Sequence, residues 1–369
     1  MTIRVALDVT PQLLPRTGVG VFTDEVLHRL AALDEVELSV FAISWEGRER
    51  LPGLMPPGAT VARRPMAARP PRVAWSRVDW PPIEWWTGPI DVVHGPNFVV
   101  PPARHGAEVV TVHDLTPLNH PEMCTDDVLA FPNLVRRAVG RGATVHAVSA
   151  WVADEVVELL DVPPDQVVTI PNGLTPLPAA DPSKGRDLAG GDRYLVAVGT
   201  VEPRKDYPSL VRAFDRVASV DPDVRLVIAG QRGWGAEELD EAVAAASFRD
   251  RIVRTGWVDD VGRAALVRGA TALVYPSRYE GFGLPPLEAM SVGTPVVCTA
   301  AGALPDTVGD GALIVPPSDP ELLAQAIEEV LAGGETVERL VERGRARASG
   351  FSWDQTIDAL VTLYQKLAS

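Results

Sequence analysis

Short apolar runs alternate along the whole chain with longer stretches in which apolar residues recur every three or four positions. In the first half the short runs fall at residues 3–8, 36–43, 91–94, 108–113, 144–148 and 166–170. In the second half they fall at 194–198, 224–229, 252–255, 271–275, 294–299 and 312–315. Runs of this length predict strands. Many are continuous in Val, Ile, Leu and Ala, as in Tyr194-Leu195-Val196-Ala197-Val198, which predicts parallel strands covered on both faces. Helical periodicity occupies 20–32, 149–160, 206–219, 235–247, 259–268 and 319–332. Alternating strands and helices predict an α/β fold with doubly wound sheets, and two such sets in one chain predict two Rossmann-like domains.

The pattern weakens at Leu174-Thr175-Pro176-Leu177-Pro178-Ala179-Ala180-Asp181-Pro182-Ser183, a proline-rich stretch, and at the polar, glycine-bearing 184–191. The expected division is therefore 1–180, 181–350 and a final amphipathic helix within 351–369. Residues 45–90 also break the rhythm. They carry Arg63, Arg64, Arg69, Arg72 and Arg77, together with Trp75, Trp80, Trp85 and Trp86. The expected role of these tryptophans is packing in the N-terminal core. The less favoured alternative is contact with a membrane surface or an anionic acceptor.

Composition narrows the function class. The chain has 369 residues, 46% hydrophobic and 22% charged, as expected of globular domains. A net charge of −15 and a pI near 4.9 argue against a nucleic-acid partner, which requires a basic footprint. Only Cys124 and Cys298 occur, so a disulfide framework is not expected and Cys298 reads as a buried thiol in an apolar run. The chain opens directly on a strand with no charged leader before it, and no apolar run approaches the ~20 residues of a membrane span. The expected location is the cytoplasm, with a peripheral place at the inner membrane face as the alternative.

The densest chemical signal is Ser277-Arg278-Tyr279-Glu280-Gly281-Phe282-Gly283-Leu284-Pro285-Pro286-Leu287-Glu288-Ala289. A strand precedes it, and a proline pair suits the first turn of a helix. A strand, a glycine loop and a helix start direct backbone N–H groups and a positive dipole end at one place, where a phosphate can bind. Glu280 and Glu288 can accept hydrogen bonds from vicinal hydroxyls, as sugars and riboses provide. Phosphate donors flanked by hydroxyl acceptors describe a sugar-nucleotide site. A second segment, Val198-Gly199-Thr200-Val201-Glu202-Pro203-Arg204-Lys205-Asp206-Tyr207, places two cations after a strand, suited to charge growing on a departing diphosphate.

Two further segments follow strands. Thr17-Gly18-Val19-Gly20-Val21-Phe22 lacks the third glycine of a dinucleotide fingerprint, so a nicotinamide dehydrogenase is a poor reading. Val112-His113-Asp114 puts a histidine at a strand end, where open sheets bind ligands. His94 ends another strand, where a structural role is an equal alternative. Arg232 follows the strand at 224–229 and reaches either a donor or solvent. Asp259-Asp260 reads as a helix cap. No HExxH or cysteine cluster occurs, so neither a catalytic metal nor another cofactor is expected.

The Glu280-x₇-Glu288 segment and the G-T-V-E-P-R-K stretch at 199–205 resemble retaining glycosyltransferases of family 4, the glycosyl transferases group 1. The wording is closest to bacterial mannosyltransferases of polysaccharide assembly. Asp206 stands where that family usually has Asn. The resemblance implies a GT-B fold, two Rossmann-like domains facing a central cleft, with the last helix crossing back to the first domain. It implies transfer of a hexose from a nucleotide-sugar donor, GDP-mannose being the first to try, to a carbohydrate, lipid-linked or small-molecule hydroxyl acceptor. Lys205 and Arg204 fall on the family's diphosphate contacts. His113 falls beside the transferred sugar, and a loop over 16–20, with Gly18 and Gly20, falls near the donor phosphates. Thr200, Arg232, Gly281, Phe282, Gly283, Leu284 and Glu288 complete the expected donor site, Glu280 orienting the sugar hydroxyls and Glu288 gripping the ribose. Competing readings are a sugar-nucleotide epimerase or phosphorylase of the same architecture, or a non-catalytic binder.

Overall fold

The computed structural model describes residues 2–14, 17–44, 48–62, 66 and 74–369. Arg16, Arg63, Arg64, Arg69 and Arg72 lie outside the described residues. The chain divides into two compact units, Met1–Gly173 with Trp353–Ser369, and Leu174–Ser352. The change of unit falls at the start of the proline-rich stretch, between Gly173 and Leu174, where the expected division lay within it at 180/181.

The first unit is built on a parallel sheet. Its strands are β1 (Ile3–Asp8), β2 (Val36–Phe41), β3 (Ala59–Val61), β4 (Val92–Gly95), β5 (Ala107–Val112), β6 (Thr144–Ala147) and β7 (Val167–Thr169). The order across the sheet is β3-β2-β1-β4-β5-β6-β7. Register sets apolar residues side by side, with Ile3 opposite Val36 and Leu7 between Val40 and His94. β3 was not expected from the pattern, because it spans only three residues, Ala59-Thr60-Val61, with a threonine between its two apolar positions.

The second unit repeats the plan with β8 (Tyr194–Val198), β9 (Arg225–Ala229), β10 (Ile252–Gly256), β11 (Ala272–Tyr275), β12 (Val296–Thr299) and β13 (Leu313–Val315). The order is β10-β9-β8-β11-β12-β13. Every residue of β8, β11 and β12 is buried, as the uninterrupted apolar runs required. In both sheets the chain winds outward from its first strand, then returns to that strand's other side. The switch lies between β1 and β4 in one unit and between β8 and β11 in the other. Ligands of open α/β sheets bind beyond the carboxyl ends of strands at such a switch.

Among the described residues, three helices of eight residues or more escaped the sequence pattern. Part of the stretch expected as linker, 184–191, is the helix Pro182–Ala189, capped by Asp181. It packs against the helix Asp260–Gly269 through Gly185, whose missing side chain lets it lie on the backbone of Ala265. Glu335–Ala348 buries only Leu340, Gly344 and Ala348, two of which are too small to register as apolar periodicity. Phe131–Gly140 is the third. The final helix, Trp353–Ala368, belongs to the first unit. It buries Trp353, Ile357, Leu360, Leu363 and Tyr364 in one core with Ile3, Val5, Leu7, Phe22 and Leu27.

The tryptophans of 75–86 do not share one environment. Trp75 is buried, and its indole N–H donates to the Pro81 carbonyl at 3.0 Å. Trp80 and Trp85 remain about half exposed and meet edge to face, with centroids 5.0 Å apart. Core packing therefore accounts for Trp75 and not for these two. Cys298 is buried without a disulfide, and burial pushes its thiol up to about 12. Among the described residues no helix is long and apolar enough to cross a membrane.

Candidate functional site

The β8–β11 switch carries both charged motifs. β8 ends at Val198, and the chain turns through Gly199 and Thr200 into the short 3-10 turn Pro203–Lys205. Asp206 then adopts a left-handed conformation, φ 46°, and caps the helix Tyr207–Val220 by accepting from Ser209 N. Asp and Asn are the side-chain-bearing residues that tolerate this conformation best. The departure from Asn to Asp thus keeps both the turn and the cap. The turn directs Arg204 and Lys205 toward the loop that follows β11, and Arg278 N bonds the Arg204 carbonyl at 2.8 Å.

Six polar side chains converge there. Lys205 is buried, its Nζ donating to Glu280 Oε1 at 2.7 Å and to the Tyr275 hydroxyl. Arg204 donates through Nη1 to Glu280 Oε2 at 2.7 Å and through Nη2 to Glu202 Oε1 at 2.7 Å. Ser277 Oγ donates to Glu280 Oε1 at 2.8 Å, and Thr299 holds the Ser277 carbonyl. Burial alone would raise the Glu280 carboxyl, but Arg204, Lys205 and Ser277 outweigh it and hold it down at about 2. Burial pushes the Lys205 ammonium below its ordinary value, and Glu280 opposes that fall. Both oxygens accept from donors of their own unit, Oε1 from Lys205 and Ser277 and Oε2 from Arg204. In this arrangement Glu280 holds the two cations.

The loop continues through Gly281 and Phe282, both buried, to Gly283, which caps the helix Leu284–Val292 at φ 109°. A side chain at Gly283 would be strained there, and a Cβ would come within 2.5 Å of Leu304. The helix has Pro in its first turn and no side-chain cap, so its first N–H groups keep their anion-binding character. Phe282 packs edge to face on Phe351 at 5.6 Å. Glu288, later on the same helix, pairs with Arg263 of the helix Asp260–Gly269. Asp259 caps that helix, accepting from Gly262 N at 2.7 Å, as the sequence implied.

In the first unit, Gly18 and Gly20 are not in a loop. They form the first turn of the helix Gly18–Ala31, behind the N-cap Thr17, and neither has positive φ. Small residues here suit a helix start as well as a turn, and the sequence pattern does not separate the two. His113 follows β5. Its Nε2–H donates to the Pro96 carbonyl at 2.8 Å, and its ring stands 5.1 Å edge-on from Phe22 of that helix. Burial lowers its pKa, leaving a neutral imidazole with Nδ1 as acceptor. His94 is wholly buried and bonded on both nitrogens, to Tyr364 at 2.6 Å and Thr111 at 2.7 Å, which is the structural alternative.

Residues 182–347 match the model of the glycosyl transferases group 1, and residues 16–176 match that of Glycosyltransferase Family 4. An O-antigen chain mannosyltransferase B of Escherichia coli is 31% identical over 285 residues, covering 75% of this chain and 74% of that protein. The chain belongs to glycosyltransferase family 4. The fold agrees with solved GT-B glycosyltransferases. A sucrose-phosphate synthase from Thermosynechococcus elongatus superposes with TM-score 0.78 at 21% identity, over 100% of this chain and 99% of that one. Anabaena HepE, solved with UDP-glucose, gives TM-score 0.75 at 17% identity over 98% and 99%.

In this family 4 glycosyltransferase, then, Arg204, Lys205, Glu280 and the Gly281–Leu284 loop lie together in one unit, while Gly18, Gly20 and His113 belong to the other. Thr200 lies by Gln231, whose amide reaches its hydroxyl at 3.4 Å. Arg232 is exposed and paired with Asp240 at 2.8 Å, which favours the solvent alternative. Three partners of the charged side chains were not singled out as site residues: Tyr275, Ser277 and Arg263. Tyr275 left a signal, because a phenol closing the apolar run Ala272-Leu273-Val274 needs a buried polar partner. Arg263 left none, since its pairing depends on how two helices pack.

Proposed function

We propose that this glycosyltransferase moves a hexose from a nucleotide-sugar donor to a hydroxyl acceptor, with retention of anomeric configuration and without a catalytic metal. The acceptor is a carbohydrate, a lipid-linked compound or a small molecule, and the reaction belongs to polysaccharide or glycoconjugate assembly in the cytoplasm. One observation carries the reading. Two cations, Arg204 and Lys205, are fixed on one carboxylate at a sheet switch, next to an uncapped helix N-terminus. That is a place for a diphosphate. UDP-glucose bound to the GT-B neighbour HepE supports a nucleotide-sugar donor, and the mannosyltransferase relative supports GDP-mannose as the first candidate.

The chemistry follows from this charge arrangement. As the C1–O bond to the diphosphate breaks, negative charge grows on the leaving oxygen. Lys205, Arg204 and the helix N-terminus stabilise it without reorganising. The acceptor oxygen bonds C1 on the face the phosphate leaves, and its proton passes to the leaving phosphate. Glu280 holds the cations, and Glu288 accepts from the ribose after exchanging its bond with Arg263. Among the described residues no group of three His, Cys, Asp or Glu side chains could hold a metal, and the two cations supply the charge a metal would.

Thermal shift with GDP-mannose, UDP-glucose and dTDP-glucose tests the reading. A ligand at 100 times its Kd stabilises by about 2.7 kcal/mol, so one of them is expected to raise the unfolding temperature clearly. No shift with any sugar nucleotide at millimolar concentration would overturn it. Slow donor hydrolysis then separates an enzyme from a mere binder.

A further inference from the structure

Three of the strand residues Ala272-Leu273-Val274-Tyr275 are aliphatic, and all four are buried. A phenol in that position sets a polar oxygen in the core. Its hydroxyl takes a hydrogen bond from Lys205 Nζ, which stands 4.5 Å from the ring centroid. An ammonium only donates. The hydroxyl is therefore the acceptor. With the 2.7 Å bond from Lys205 to Glu280 Oε1, the ammonium is held at two points.

Lys205 has three N–H donors, and these two bonds fix two of them. A lysine on a single carboxylate can rotate about that contact. A lysine held at two points, with a ring face beside it, cannot. We infer that Tyr275 is a positioning residue for Lys205: its hydroxyl fixes the ammonium at a second point, leaving the third N–H in one set direction for the leaving diphosphate. The inference rests on the proposed reading of Lys205 as a contact of that diphosphate. Tyr275 touches no reacting atom and acts only through the lysine.

The experiment is a double-mutant cycle of Tyr275→Phe and Lys205→Met, read as donor turnover with whichever of GDP-mannose and UDP-glucose the wild type uses faster. Phe keeps the ring and its packing and removes only the hydroxyl. Tyr275→Phe is expected to lower kcat about tenfold with donor KM within about threefold, and to cost nothing further in the Lys205→Met background. The alkaline limb of its rate profile is expected to move to lower pH, because a buried ammonium with one acceptor fewer loses its proton more readily. Tyr275→His returns a donor and an acceptor on an aromatic ring and is expected to regain part of the rate. Should the Phe variant not fold, the His variant takes its place in the cycle. If Lys205→Met turns over as wild type, the diphosphate reading itself falls and the inference with it. If Lys205→Met is slow while Tyr275→Phe stays within about twofold of wild type, or costs the same factor in both backgrounds, the inference alone is overturned.

Discussion

Each unit buries a polar network near its sheet switch, and the two networks differ in kind. In the first unit the groups sit inside the strands: His94 in β4, Thr111 in β5 and His146 in β6. His146 Nε2 meets the Ile170 carbonyl at 2.8 Å, so it carries the hydrogen and Nδ1 accepts from Thr111 at 3.0 Å. Thr111 in turn accepts from His94 Nε2–H, and His94 Nδ1 accepts from Tyr364 of the terminal helix. The chain runs one way, is neutral, and ends on a backbone carbonyl. In the second unit Glu202, Arg204, Lys205 and Glu280 are charged and lie in the loops beyond β8 and β11. A neutral chain closed at both ends fastens a helix to a sheet. A charged cluster beside a helix N-terminus retains donors for an anion. The same requirement, that buried polar atoms find partners, yields a structural tie in one unit and a candidate for chemistry in the other.

The largest expected effect breaks the charged network. Lys205→Met should lower kcat by ~10²–10³ while donor KM changes less, since the charge it opposes grows in the transition state. Steady-state kinetics at wild-type rate would make Lys205 a structural residue like Thr111. The matching change in the neutral network is Thr111→Val, which leaves a donor on His94 and an acceptor on His146 unpaired. It should cost about 2–4 kcal/mol of stability in urea unfolding and leave donor binding per folded molecule unchanged. Loss of donor affinity without loss of stability would erase the distinction between the networks.

Acid should separate the units. Burial lowers His146 from 6.5 to about 4, and lowers His94 as well. Between those values the unfolded chain binds more protons, so stability falls as pH drops from 6.5 toward 4, by about 3 kcal/mol for a shift of this size. Glu280 is lowered from 4.5 to about 2, so its contribution is present above 4.5 and fades only as pH falls toward 2. Hydrogen exchange should report β5 and β6 losing protection before β8 and β11. Simultaneous loss would count against the comparison.

Glu288→Gln should weaken nucleotide binding by roughly 1.5–3 kcal/mol, the worth of a charge-assisted hydrogen bond, and calorimetry with GDP and UDP measures it. Unchanged affinity would remove the ribose role. The smallest expected effect is that of excess EDTA on turnover, namely none. Activity abolished by chelation and restored by Mg²⁺ would mean that Lys205 and Arg204 do not carry the phosphate charge alone.

Much of this was legible in the chain itself. Short apolar runs located twelve of the strands to within about two residues, most sharply β8, β11 and β12, because a parallel strand buried on both faces must be apolar throughout. Glycine, proline and charge at 199–205 and 280–288 marked the motifs, because turns and helix starts demand those residue types locally. What the sequence left open were matters of partnership. It could not tell that Gly18 and Gly20 start a helix, that 184–191 is largely helical, or that Trp80 stays exposed while Trp75 is buried. Nor could it tell that Glu280 is engaged by Arg204 and Lys205, which lie 76 and 75 residues away. A residue's chemistry and its local conformation are properties of its own stretch of chain. Which donor meets which acceptor depends on how distant segments pack, and only the folded units decide it.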